Sequence, residues 1–185
     1  MRKPVIGVMG GSKASAEVCA QAQQLGSLIA RRGWVLLNGG RNQGVMAASA
    51  DGAKQAGGIV IGILPDSTDS RASPHLDFAI MTDMGDGRNL LNVLSSDVVI
   101  ACQGKLGTLS EVVLALKRNK HVILLGWELT DPQFKHFIKT GQLTRAATPD
   151  EAVKQVAATL EAKAQGADCS RKPNNTSTSL WGRDG

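Results

Sequence analysis

The chain has 185 residues, 42% of them hydrophobic, and a formal net charge of +5. This length suits one domain built on a six- or seven-stranded sheet with helices on both faces. The longest apolar runs are as long as a strand and far shorter than the roughly twenty residues that cross a bilayer. The N-terminus shows no signal peptide. These features argue against a membrane protein and predict a cytoplasmic location.

Charge and cysteine content argue against two further classes. The positive residues are spread over predicted helix faces without interleaved aromatics, so an anionic small ligand is expected and a nucleic acid is not. The three cysteines are odd in number and lack Cys-x-x-Cys spacing, which argues against a disulfide scaffold and a structural zinc site. The three histidines share no common spacing, and no metal site is predicted.

Strand and helix patterns alternate along the chain. The predicted strands are 4–9, 34–38, 58–63, 78–82, 97–101 and 121–125, and the predicted helices are 14–32, 43–56, 87–95, 107–118, 131–138 and 149–164. This alternation predicts an α/β fold with a doubly wound parallel sheet of six to seven strands in three layers. One domain should occupy residues 1–165. Residues 166–185 are rich in Gly, Ser, Asn and Thr and are expected to form a flexible C-terminal tail.

Glycine-rich turns follow three of the predicted strands. In chain order they are Gly10-Gly11-Ser12, Gly39-Gly40-Arg41 and the segment 102–108. In a parallel sheet such turns lie at the carboxyl ends of the strands, so together they predict one mononucleotide-like site. The fingerprint Gly-x-Gly-x-x-Gly does not follow the first strand, and NAD is therefore not an expected cofactor.

The third turn carries the most information. Gly104 and Gly107 can adopt backbone angles that direct successive amide N–H groups at an anion, at the positive end of a helix expected to begin near Thr108. Glu111, one turn into that helix, points back toward the turn, where a general base or a ribose ligand would lie. Thr108 and Glu111 also have the spacing of a capping box, so a purely structural role is an equal alternative.

Four segments resemble, in order, the motifs of the "lonely guy" superfamily, whose members are often mislabelled lysine decarboxylases. The segments are 38–46, 58–65, 88–101 and 107–111. The resemblance implies a Rossmann-like fold, a homo-oligomer (dimer or tetramer) and cleavage of the N-glycosidic bond of nucleoside 5′-monophosphates. The superfamily signature Pro-Gly-Gly-x-Gly-Thr-x-x-Glu places its functional glutamate at Glu111 and its upstream arginine at Arg88.

The chain departs from this signature at the front of the turn, where Gln103-Gly104-Lys105 replaces Pro-Gly-Gly. A lysine adds charge where the backbone would approach phosphate, which indicates a site adapted to a different anion. Segments 6–12, 88–90 and 115–126 are more similar to the molybdenum cofactor carrier proteins of the same superfamily. That resemblance implies a protein that binds, stores and carries the molybdopterin-based cofactor as cargo, without catalysis.

Three hypotheses for the function result. The first is a molybdenum cofactor carrier, with molybdoenzymes or cofactor-biosynthesis proteins as partners. The residues expected to bind the phosphorylated pterin are Gly11, Ser12, Gly39, Gly40, Arg41, Arg88, Gly104, Lys105, Gly107, Thr108 and Glu111. The second is a cytokinin-activating type of nucleoside 5′-monophosphate phosphoribohydrolase, an N-glycosyl hydrolase in which Arg88 and Glu111 are catalytic. The third is regulatory nucleotide binding without turnover.

Structural alternatives accompany several of these residues. A surface ion pair with Asp83 or Asp86 is the less favoured alternative for Arg88. Cys102 is better explained as a small buried residue at a strand end than as a reactive thiol. The polar segment 65–77 is either a lid over the ligand or a surface connector, because its length favours neither.

Overall fold

The structure is a computed structural model that describes the backbone of residues 2–169 and the side chains of residues 2–165. The strands are β1 (Val5–Met9), β2 (Val35–Asn38), β3 (Ile59–Leu64), β4 (Phe78–Met81), β5 (Val98–Cys102), β6 (His121–Leu125) and β7 (Leu143–Ala146). The helices are α1 (Ala16–Arg31), α2 (Gly44–Gln55), α3 (Asn89–Ser95), α4 (Leu106–Lys117), α5 (Lys135–Lys139) and α6 (Pro149–Cys169). Short 3₁₀ helices at Gly85–Arg88 and Pro132–Phe134 lead into α3 and α5.

The strands of the described part form one parallel sheet in the order β4-β3-β2-β1-β5-β6-β7. The predicted α/β fold with a parallel sheet is therefore confirmed. The direction of strand succession reverses between β1 and β5, and in open α/β sheets this switch point opens a crevice at the carboxyl ends of the strands. The sequence did not predict β7, because Leu-Thr-Arg-Ala at 143–146 is short and has little apolar character at the sheet edge.

Helices cover both faces of the sheet, giving three layers. On one face, α1, α2 and α6 bury an apolar cluster that includes Leu25, Ala53 and Val156. On the other face, α3 and α4 bury a second cluster that includes Val93 and Val112. The central strand β5 is buried along its whole length, as expected for a Val- and Ile-rich parallel strand covered on both sides.

Helices α1 and α2 pack backbone to backbone through two glycines. A Cβ added at Gly26 of α1 would lie 2.0 Å from the carbonyl oxygen of Ser49, and one added at Gly52 of α2 would lie 1.9 Å from that of Gln23. No residue with a side chain fits at either position without separating the helices. One turn leads from β1 into α1 and the other from β2 into α2. The close pairing of the two helices holds these turns beside each other.

Helix α6 runs across the predicted boundary between the domain and the tail. This helix continues to Cys169, so the backbone of residues 166–169, the first part of the predicted tail, is helical. The rest of the predicted tail, residues 170–185, lies outside the described residues. Among the helices that are described, none combines the length and the apolar character needed to cross a membrane.

Candidate functional site

Three glycine turns meet at the carboxyl ends of β1, β2 and β5. The Gly11 amide donates a hydrogen bond to the carbonyl of Gln103 (3.4 Å), which joins the turn after β1 to the turn after β5. The Gly11 carbonyl accepts from the amide of Val45 (3.1 Å), which joins the same turn to the start of α2. The turns therefore converge at the switch point, as their shared position in a parallel sheet predicts.

A cavity of about 380 Å³ opens at this junction. Its lining residues are Val8, Met9, Gly10, Gly11, Ser12, Lys13, Gly39, Arg41, Met46, Asp86, Arg88, Asn89, Lys105, Gly107, Thr108 and Glu111. The volume is in the range that small-molecule sites occupy. The cavity brings together every residue predicted to bind the ligand, except Gly40 and Gly104.

Gly40 and Gly104 are not among the lining residues of the cavity, and their predicted role in ligand binding stays a prediction. The Gly40 amide already donates to Oδ1 of Asn38 (2.8 Å), so this N–H is not available to an anion. Its φ of +77° also favours glycine at this turn. Gly104 packs under α4, where an added Cβ would lie 2.1 Å from Oγ1 of Thr108.

Arg88 and Glu111 form the buried centre of the site. Arg88 ends the 3₁₀ helix before α3, Glu111 lies on α4, and the Nη1 to Oε1 distance between them is 3.7 Å. Nδ2 of Asn92 donates to the same Oε1 atom at 2.8 Å. Burial raises the pKa of Glu111 to about 7, against the opposing effects of Asn92 and Arg88. A carboxyl group that titrates near neutrality can accept or donate a proton under physiological conditions.

The structure does not contain the structural alternative that was predicted for each of these two residues. Helix α4 begins at Leu106, with Lys105 as its N-cap, so Thr108 lies inside the first turn and cannot act as the N-cap. Because Glu111 accepts from Asn92 instead, the capping box does not hold. Within residues 2–165, Arg88 pairs with Glu111 and forms no ion pair with Asp83 or Asp86.

The cavity has more positive than negative groups. Lys13, Arg41, Arg88 and Lys105 contribute cations, whereas Asp86 and Glu111 contribute carboxylates. Within the described side chains neither lysine forms an ion pair, so both remain free to bind an anion. A cleft lined with a surplus of one charge concentrates ligands of the opposite charge. The arrangement therefore suits an anionic ligand.

Gly39 allows Arg88 to reach the cavity. A Cβ at this position would lie 2.6 Å from Nη1 and 2.7 Å from Nη2 of Arg88, and 2.7 Å from the sulfur of Met46. The guanidinium group thus lies directly against the glycine backbone. The role of this glycine is to leave room for a neighbouring side chain as well as for a ligand.

Sequence reasoning missed several residues at the site. Asn92 orients Glu111, and Met46, Asp86 and Asn89 line the cavity. Asn92 could have been found, because it lies four residues after Arg88 and so shares its face of the helical segment. The others carry no comparable signal.

Metal and thiol chemistry find no support in the described residues. Cys102 is fully buried at the end of β5, and burial raises the pKa of its thiol to about 12. The preference for a structural role at this position is therefore supported. No group of three or more His, Cys, Asp or Glu side chains in the described part is arranged to hold a metal ion.

The fold and the site together define a Rossmann-like α/β domain with a crevice at its switch point that is lined by more basic than acidic side chains. Residues 3–153 match the SLOG cluster4 family, and the chain belongs to that family. This match, together with the solved structures and the relative described next, confirms the resemblance to the "lonely guy" superfamily and its carrier branch.

Two similar solved structures match this chain over nearly their whole length. The molybdenum cofactor binding protein of the phototrophic bacterium Rippkaea orientalis is 49% identical, with a TM-score of 0.82, over 86% of this chain and 99% of that one. The molybdenum cofactor carrier protein of Chlamydomonas reinhardtii is 40% identical, with a TM-score of 0.79, over the same shares.

A third relative is an enzyme. The cytokinin riboside 5′-monophosphate phosphoribohydrolase of Mycobacterium tuberculosis is 35% identical over 103 residues, which are 55% of this chain and 55% of that protein. The match therefore spans about half the length of that relative.

Proposed function

We propose that this chain binds the molybdenum cofactor and carries it as cargo, without chemical conversion. The observation that carries the proposal is the match, at 49% and 40% identity over nearly the whole length of the matched chains, to molybdenum cofactor binding and carrier proteins. The cavity at the switch point supplies a site of suitable charge and size.

The residues of the cavity fit such a cargo. The cofactor presents a phosphate and molybdenum-bound oxygens, which need cations and N–H donors. Lys13 and Lys105 supply unpaired positive charge, and the amides at the start of α4 point toward the cavity end of that helix. The buried thiol of Cys102 is not part of this set, so the molybdenum should be held by the pterin dithiolene.

Retention of freshly released cofactor by the purified protein tests the proposal. After incubation and gel filtration, the protein peak should contain molybdenum and pterin in equal, near-stoichiometric amounts. We expect Lys105→Ala and Arg88→Ala to reduce retention about tenfold, the typical effect of losing a charged hydrogen bond. Lys117→Ala, at the opposite end of α4, is the matched control and should leave retention unchanged. Absence of molybdenum and pterin from the peak would contradict the carrier function.

Phosphoribohydrolase activity is the second candidate, and one observation favours it. Glu111 is a buried carboxyl whose pKa is raised to about 7, and it faces Arg88 in the cavity. In a hydrolase, Glu111 would hold the ribose hydroxyls or activate water, and Arg88 would orient that carboxylate or the phosphate. Release of free base from nucleoside 5′-monophosphates, abolished in Glu111→Gln, would replace the carrier function with this one.

We also propose a homo-oligomer, a dimer or tetramer. Leu94 on α3 and Leu106 and Val113 on α4 are exposed, at 46%, 81% and 38%. We call these three residues the α3–α4 surface. The two helices pack against each other, and Leu106 and Val113, seven residues apart, lie about two turns from each other on the same side of α4. The cytoplasmic location, the absence of NAD, and molybdoenzymes or biosynthesis proteins as partners stay predictions.

A further inference from the structure

The segment between β3 and β4, residues 65–77, is fastened to the turn after β2. The amide of Asn42 donates to the carbonyl of Arg71 (3.0 Å), and the amide of Ser73 donates to the carbonyl of Gly40 (2.8 Å). Between these bonds, Arg41 and Ala72 form an isolated antiparallel bridge. Because of this backbone pairing, the segment is held against the turn and is not a free lid.

In this segment, Asp66 forms an ion pair with Arg41, the arginine of the turn. Asp66 accepts from Nε of Arg41 at 3.1 Å and from Nη2 at 2.9 Å, which occupies one whole edge of the guanidinium group. Arg71 contacts the same Oδ1 atom from the other side. Asp66 is 17% exposed and Arg41 28%, so the pair is mostly shielded from water.

This pairing leaves a defined set of donors for a ligand. Arg41 lines the cavity, and its Nη1 group makes no hydrogen bond within the described residues. A guanidinium held along one edge presents its remaining N–H groups in a fixed direction, so less side-chain entropy is lost when an anion binds. Arg71 compensates the charge of Asp66, so the three groups together keep a positive charge.

We infer that Asp66 is a positioning residue, which holds Arg41 in the orientation that binds an anionic group of the ligand, while Arg71 restores the positive charge. The inference rests on the anion site of the proposed function but not on the identity of the cargo. It differs from two simpler roles for Asp66. A carboxylate that only competes with the ligand would weaken anion binding, and one that only ties down the segment would affect folding alone.

A double-mutant cycle with inorganic phosphate as the probe separates these roles. Phosphate affinity is measured by calorimetry for the unsubstituted chain, Asp66→Ala, Arg41→Ala and the double variant, each with its thermal midpoint. We expect Arg41→Ala to lose about tenfold and Asp66→Ala about fivefold in affinity, with the double variant no weaker than Arg41→Ala. Asp69→Ala, which removes a carboxylate from the same segment that forms no ion pair in the described part, is the matched control and should lose nothing.

Each other result would overturn the inference. Unchanged or increased affinity in Asp66→Ala would indicate no role or a competing one, and additive losses would indicate that Asp66 does not act through Arg41. Asp66→Asn, which keeps the shape and one acceptor oxygen, is measured alongside in case the alanine variant does not fold, and the same criteria apply to it. If the unsubstituted chain binds no phosphate, the anion site itself fails, whatever Asp66 does.

Discussion

Glu111 and Arg88 form a largely buried charge pair, and a pair of this kind is weak evidence for a contribution to stability. Desolvation costs of two buried charges commonly exceed their mutual attraction, and well-packed apolar residues would stabilise this position at least as well. The pair lies instead where three loops meet a cavity. Such an arrangement is typical of residues retained for a ligand, because perturbed carboxyl groups in clefts cluster at functional sites.

The raised pKa of Glu111 gives a prediction for stability against pH. Burial favours the protonated carboxyl in the folded state, with a pKa of about 7, whereas an exposed glutamate titrates near about 4.3. The contribution is thus fully present below about pH 4.3 and is lost as the pH rises through about 7. Glu111→Gln removes this titration, so between about pH 4.3 and about pH 7 the unfolding free energy of the unsubstituted chain should fall, relative to that of the variant, by up to about 4 kcal/mol. Denaturant unfolding at several pH values measures the difference, and parallel curves would contradict it.

A second prediction concerns Gly39. Because an added Cβ would lie 2.6 Å from Arg88 Nη1, Gly39→Ala should displace the guanidinium group while leaving the fold intact. Cofactor retention should fall about as far as in Arg88→Lys, roughly tenfold, with little change in thermal midpoint. The double variant should retain no less than Arg88→Lys alone, because both changes act on the same group. Additive losses would show that Gly39 acts independently of Arg88.

At the scale of elements, the pairing of α1 with α2 determines where the first two glycine turns lie. The two helices approach through Gly26 and Gly52, and the α2 end of this pair carries the turn that holds Gly39 and Arg41. Neither glycine is at the site. These glycines affect the site only by setting the position of the two helices. That position depends on how the helices pack together, so neither sequence segment determines it alone.

Gly26→Ala should therefore destabilise the protein. Its Cβ would overlap the carbonyl of Ser49, a backbone atom that cannot move without shifting α2, and overpacking of this kind costs more than about 2 kcal/mol. Gly107→Ala is the control, since an added Cβ there contacts nothing and alanine favours a helix. Thermal or denaturant unfolding of both variants measures the effect. Equal stabilities for the two would contradict the close packing of α1 and α2.

Elements with a local signal could be predicted from the sequence, and those set by tertiary contacts could not. The strands that end in glycine turns could be predicted, because an apolar run followed by glycines is a local signal that spans about ten residues. Strand β7 could not be predicted, because its extended conformation depends on pairing with β6 and not on a local signal. The start of α4 at Leu106 also differed, because Lys105 offers no capping side chain that would have marked it. Arg88 and Glu111 came from a motif, but the contact of Asp66 with Arg41 joins segments 25 residues apart and has no sequence signature.

At the scale of the whole molecule, the switch between β1 and β5 puts the cavity at the middle of the sheet edge, with α4 directly beside it. Helix α4 thus contributes to two different parts of the molecule. Its N-terminus and Glu111 belong to the cavity, while its outer side carries Leu106 and Val113 of the α3–α4 surface. If a second copy covers that surface, assembly and ligand binding depend on the same helix.

The α3–α4 surface gives the last prediction, which concerns oligomeric state. Val113→Glu places a carboxylate on a surface that we expect a second copy to bury, where an unpaired charge strongly opposes association. The variant should therefore be monomeric at protein concentrations where the unsubstituted chain is dimeric or tetrameric, as measured by light scattering after gel filtration. Ile138→Glu is the matched control, because Ile138 on α5 is similarly exposed, at 40% against 38% for Val113, but lies outside this surface. A monomeric unsubstituted chain, or the same mass for both variants, would contradict the proposed interface, since only a surface that is buried between copies can distinguish the two substitutions.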